Sequence, residues 1–76
     1  MAEGGSVAKV IQLVGSSDKS FSDAVRVAVA QASSTLRGIT GVDVVSSQAS
    51  VSDGEITEYR VTVNIAFQIE KSEDVN

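Results

Sequence analysis

The side chains with the most chemical potential are few, and they cluster in the second half of the chain. Asp53 and Glu55 flank Gly54, and Glu58 follows three residues later. Hard cations such as Ca²⁺ or Mg²⁺ take clustered oxygen ligands. These three carboxylates are therefore a candidate metal set, within one chain or shared among symmetry-related copies. The competing reading is ordinary turn chemistry followed by a solvated strand face. Arg60 stands between Glu58 and the polar pair Thr62 and Asn64, with Gln48 expected opposite it on the preceding strand. A planar guanidinium grips a carboxylate or a ligand through paired hydrogen bonds. An intersubunit salt bridge accounts for it equally well.

Two further motifs carry less. Ser16-Ser17-Asp18-Lys19 reads S-x-x-K, but its partner motifs S-D-N and K-T-G are missing, which leaves a polar turn before a helix. Gly38-Ile39-Thr40-Gly41 has the G-x-x-G spacing of a loop that clamps a nucleic-acid backbone. Apart from Arg37 its flanks lack the basic residues that such a loop needs, and a helix stop plus a strand start explains both glycines. There is no phosphate-binding loop, no nucleophile elbow and no histidine to act as a general base, so an enzyme is not expected.

Composition narrows the classes further. The 76 residues contain neither cysteine nor histidine, which excludes disulfides, zinc fingers, haem and iron–sulfur ligation. Six basic against ten acidic residues give a net charge of −4, unsuited to nucleic acid or an anionic membrane surface. No apolar run approaches the ~20 residues of a membrane-spanning helix. The start "MAEGGSVAK" lacks the basic and apolar regions of a signal peptide, so a cytoplasmic protein is expected. A single domain over 1–76, with an ordered core at about 7–70, is all this length accommodates. Phe21, Tyr59 and Phe67 are the only aromatics, a light core that favours oligomerisation.

Which elements position the polar groups follows from periodicity. "SVAKVIQLV", residues 6–14, is a strand, and the "GSSD" after it is turn-forming. Phe21, Ala24, Val25, Ala28, Ala32 and Leu36 fall on one helical stripe. Ser20 and Asp23 form a capping-box pattern, Arg37 suits a last turn, and Gly38 can stop a helix; the helix is expected at about 20–37. "GVDVVSSQASV" is the second strand, and Ser52-Asp53-Gly54 a tight turn. From Thr57 to Ile69, apolar and polar residues alternate without a break: a strand with one face on a helix and the other on solvent.

The order is β-α-β-β: an α+β domain with a three-stranded antiparallel sheet wrapped around one helix. A strand over 57–69 spans ~43 Å, while a helix over 20–37 spans ~27 Å. The helix cannot cover that strand. Bare apolar surface of this kind and open sheet edges both call for another copy of the chain.

The ordered set "KVIQLVGSS", Ser20-Phe21, "STLRGI" and "EYRVTVNIAFQIE" resembles the dodecins, ungapped from about Lys9 to Glu70. The resemblance implies a hollow homododecamer, in which many members bind flavins such as FMN or riboflavin between subunits. In those members a tryptophan at the start of the second strand stacks on the flavin, and a glutamine in the third strand bonds its polar edge. The resemblance puts the ligand site at Gly41, Val42, Gln48 and Arg60. Gly41 stands at the tryptophan position and Arg60 at the glutamine position, while Gln48 falls where some members carry an arginine. Glycine supplies none of the ~1–3 kcal/mol of an aromatic stack, and arginine offers no acceptor. The pattern is similar to the branch described as calcium dodecins. The expectation is a shell that binds or sequesters a small ligand, or one that binds cations or serves packing alone.

Overall fold

The computed structural model describes residues 6–69. The elements follow the expected order: β1 (Ala8–Ser17), α1 (Phe21–Ser33), β2 (Ile39–Ser52) and β3 (Glu55–Gln68). The sheet is antiparallel with the order β1-β3-β2, so the longest amphipathic strand lies in the middle. Among the described residues no helix is long and apolar enough to cross a membrane.

The core is a seam between the smallest face of the helix and the apolar face of β3. Ala24, Ala28 and Ala32, four residues apart, are buried against Val61, Val63 and Ile65, two residues apart. Gly15 lets them meet. A Cβ on Gly15 would lie 2.4 Å from the Ala24 carbonyl oxygen and 2.9 Å from Ala28 Cβ. This overturns the reading of "GSSD" as a turn: β1 runs on to Ser17, and Gly15 pairs with Val61 inside the sheet. The glycine is there for close approach, which looks the same in sequence as a turn glycine.

Ser20 caps the helix as expected, its Oγ accepting from the Asp23 N–H at 2.9 Å. The reciprocal half of the capping box is replaced. Asp23 Oδ2 instead accepts from Ser17 Oγ at 2.7 Å, and Ser17 Oγ accepts from the Lys19 N–H at 2.9 Å. One strand-end serine thus ties β1, the connection and the first helical turn together.

The helix stops at Ser33, well short of Arg37. Ser34 Oγ donates to the Gln31 carbonyl at 2.7 Å, and the Leu36 N–H donates to the Ala32 carbonyl at 2.8 Å. These bonds satisfy terminal carbonyls that another helical turn would have used. Arg37 therefore lies outside the last turn. Gly38 does take a left-handed conformation (φ 72°), but at the start of β2, where its carbonyl accepts from the Gln68 N–H at 2.9 Å.

With 13 residues the helix spans ~20 Å, while the 14 residues of β3 reach ~46 Å. The mismatch exceeds the one expected from sequence. The described residues measure 61 × 20 × 13 Å, with a radius of gyration of 16.4 Å. A compact domain of this length has about 11 Å.

Candidate functional site

The sheet has two faces of opposite character. On the helix side lie the apolar residues of β3, with the Phe21 and Tyr59 rings edge to face at 5.0 Å. On the other side the same strand presents Glu58, Arg60, Thr62 and Asn64. Register brings polar partners to them from both neighbours. Ser16 of β1 and Gln48 of β2 both pair with Arg60, and Gln12 Nε2 donates to Asn64 Oδ1 at 3.1 Å.

Gln48 thus stands opposite Arg60 as expected. The guanidinium is half-buried and already engaged: Nη1 donates to Glu58 Oε1 at 2.8 Å and to Ser50 Oγ at 3.4 Å. Ser50 was not anticipated. Its contact depends on a bulge at Thr57, which shifts the register between Ser50 and Val51. Thr57 Oγ1 donates to the Ser50 carbonyl at 3.3 Å, which holds that bulge.

The three carboxylates do not converge within one chain. Asp53 (φ 54°) and Gly54 (φ 77°) form a two-residue loop between the paired Ser52 and Glu55, both in the left-handed region that a type I′ hairpin requires. Glu58 lies ~10 Å further along the strand from Glu55 and is committed to Arg60. Among the described residues no group of three acidic, histidine or cysteine side chains could hold a metal ion.

The four ligand candidates are likewise split. Gly41 pairs with Ala66, six positions from Arg60 on β3, which is ~20 Å along the strand. Val42 pairs with the buried Ile65 and so faces the helix side, opposite to Gly41. One small ligand cannot touch Gly41 and Arg60 of the same chain; only surfaces from different copies could join these pieces. Space at Gly41 is ample, since a Cβ placed there meets no atom within 4 Å.

This architecture defines a class: small α+β proteins in which a single helix lies on part of a long antiparallel sheet and leaves one strand bare. The chain belongs to the dodecin family, whose family model matches residues 7–70. It is 29% identical over 68 residues to the dodecin of Thermus thermophilus, covering 90% of this chain and 99% of that protein. Among solved structures, the dodecin from Streptomyces coelicolor superimposes with a TM-score of 0.83 at 30% identity, over 95% of this chain and all of that one. The calcium-chelating calcium dodecin of Mycobacterium tuberculosis, with its own calcium-binding site, gives a TM-score of 0.73 at 30% identity, over 92% of this chain and all of that one.

Proposed function

We propose that this chain assembles in the cytoplasm into a hollow homododecamer that holds a small ligand between subunits without converting it. The observation that carries this reading is the bareness of β2. Residues 40–48 are exposed on both faces, although Val42, Val44 and Val45 are among them. A strand with three half-exposed valines on an extended, non-compact chain is a surface made to be covered. Membership of the dodecin family supports further copies of the chain as that cover.

The residues do not fit a flavin held by ring stacking. Gly41 offers no aromatic face, and the Phe21–Tyr59 pair lies on the helix side of the sheet. Arg60, in place of a glutamine, has donors alone and spends one on Glu58. The ligand of this shell is held by polar contacts at Gln48 and Arg60 rather than by a stack. A second reading is a shell that binds Ca²⁺ or Mg²⁺ through Asp53, Glu55 and Glu58 gathered from several copies. It is favoured by the calcium-chelating relative and by the position of the first two at the hairpin end.

Native mass spectrometry of the purified protein tests both readings at once. A twelve-subunit mass with an added small molecule is the expected result, and a monomer at every concentration overturns the assembly. Riboflavin titrated into the protein should keep its fluorescence. A calorimetric Ca²⁺ signal that disappears in Asp53→Ala, Glu55→Ala or Glu58→Ala variants would move the assignment to the cation shell.

A further inference from the structure

The two edges of the sheet are built differently. β2 carries register shifts between Ile39 and Gly41 and between Val44 and Ser46, so its outer edge is interrupted by bulges. Bulges are one way in which an exposed edge is kept from pairing with another strand. β1 has none: Ala8 to Ser17 pair with β3 through ten unbroken positions, with glycine but no proline in the run. The Ile69 N–H donates to the Val7 carbonyl, so the backbone groups of odd-numbered β1 residues point to β3. Those of the even-numbered residues, among them Val10, Gln12 and Val14, point to the open edge.

The side chains along this edge are self-complementary. Val10-Ile11-Gln12-Leu13-Val14 reads as the same chemical pattern in both directions about Gln12. Val10 and Val14 are 56% and 61% exposed on the face away from the helix. On the helix side, Ile11 and Leu13 line an apolar groove of about 180 Å³, closed by Gln31, Thr35 and Leu36. Val27, one turn before Gln31 on the same flank, is 44% exposed.

We infer that β1 pairs antiparallel with β1 of a second copy across a twofold axis at Gln12, joining two sheets into one of six strands. The inference rests on the assembly reading above and specifies one of its contacts. In this register Val10 meets Val14 of the second copy, and Ile11 meets its Leu13. Lys9 falls opposite Gly15, which has no side chain to oppose it. The even-numbered N–H and C=O groups, which have no strand partner among the described residues, then bond each other.

The helices fit the same symmetry. Each packs over the β1 and β3 strands, and strands lie ~4.8 Å apart. Two helices related by this axis sit about two strand spacings from each other, ~10 Å, the upper end of ordinary helix-packing distances of ~8–10 Å. Val27 and Gln31 then lie in the seam between them.

The chain has no cysteine, so a single introduced thiol reports the contact directly. Gln12 is exposed, and its change to cysteine leaves the core untouched. Paired residues at a twofold have Cα atoms ~5.5 Å apart, within disulfide range. Gln12→Cys under mild oxidation should convert most of the chain to a disulfide-linked dimer, at least tenfold faster than the exposed helix-end control Ser33→Cys. If Gln12→Cys proves unstable, Val10→Cys combined with Val14→Cys reads the same register. A folded, oligomeric variant that cross-links no faster than the control overturns the β1 pairing and leaves the assembly standing. A wild-type chain that is monomeric by native mass spectrometry overturns both.

Discussion

Val63 and Val44 are the same residue type, paired side by side on the same face of the sheet, yet their surroundings differ completely. Val63 on the central strand is fully buried under the alanine face of the helix, whereas Val44 on β2 is about half exposed. One side of the sheet carries a finished core and the other an unfinished one. The helix is too narrow and too short to cover three strands, and Gly15 draws it down over β1 and β3 and leaves β2 bare. What stabilises the single chain and what the proposed assembly would cover are therefore spatially separate. Substitutions can address them one at a time.

The most damaging change on the finished side is Gly15→Val. Its Cβ would enter the helix backbone, which cannot yield as a flexible side chain would. Overpacking of this kind costs ~1–3 kcal/mol and occasionally more, and the rigid neighbour places this case at about 3 kcal/mol or above. Chemical denaturation should show a chain that is unfolded or nearly so. A variant with wild-type stability would mean that the helix does not sit on β1 as described.

The matched pair comes next. Val63→Ala removes two buried methyl groups and should cost about 2 kcal/mol, independent of protein concentration. Val44→Ala should cost less than ~0.5 kcal/mol in a dissociated chain. If another copy covers β2, its larger effect should be a loss of oligomer on dilution. Analytical ultracentrifugation over a range of concentrations separates the two. Equal, concentration-independent losses would erase the distinction between the finished and unfinished sides.

Smaller still is Ser20→Ala. Loss of the Oγ acceptor for the Asp23 N–H should destabilise the chain by ~1 kcal/mol, read as a lower denaturation midpoint. Because Ser17 independently holds Asp23, the helix should keep its N-terminal boundary. Amide exchange at the first turn checks this, and widespread loss of helix protection would assign the start of the helix to Ser20 alone.

How far the sequence foretold this arrangement depends on the range of the interactions. The alternation in β3 was legible because period 2 runs unbroken through Val61, Val63 and Ile65, and every one of them is buried. The Ser20 cap was legible because its partner is three residues away. Gly15 and the end of the helix were not, since both depend on what packs or bonds from elsewhere. The pairing of Gln48 with Arg60 was anticipated, but its cause was invisible. An unbulged hairpin closed by Asp53-Gly54 would set Gln48 against Tyr59, and the extra residue Thr57 moves it to Arg60. No local composition marks Thr57, Val45 or Thr40 as bulge residues. Within one chain Asp53, Glu55 and Glu58 stand apart for a related reason: closeness along a strand is not closeness in space.

Gly41→Trp makes the smallest change in stability and the most direct test of why β2 is bare. The position has no positive φ, and a Cβ there meets nothing within 4 Å, so the indole should be accepted at a cost below ~0.5 kcal/mol. The chain has no other tryptophan, so the new indole is a clean fluorescent probe. In a monomer its emission should be that of a solvated ring. In the assembly, if β2 is covered by another copy, it should shift to the blue, and dilution should reverse the shift. Riboflavin is the second probe. A stacking contact contributes ~1–3 kcal/mol, which at 1.4 kcal/mol per factor of ten predicts binding about 5- to 150-fold tighter than wild type. An Arg60→Gln change added to Gly41→Trp should tighten it further by restoring an acceptor. If the emission shifts but riboflavin binding stays unchanged, β2 is covered for assembly alone, and its open glycine is a surface position rather than half of a binding site.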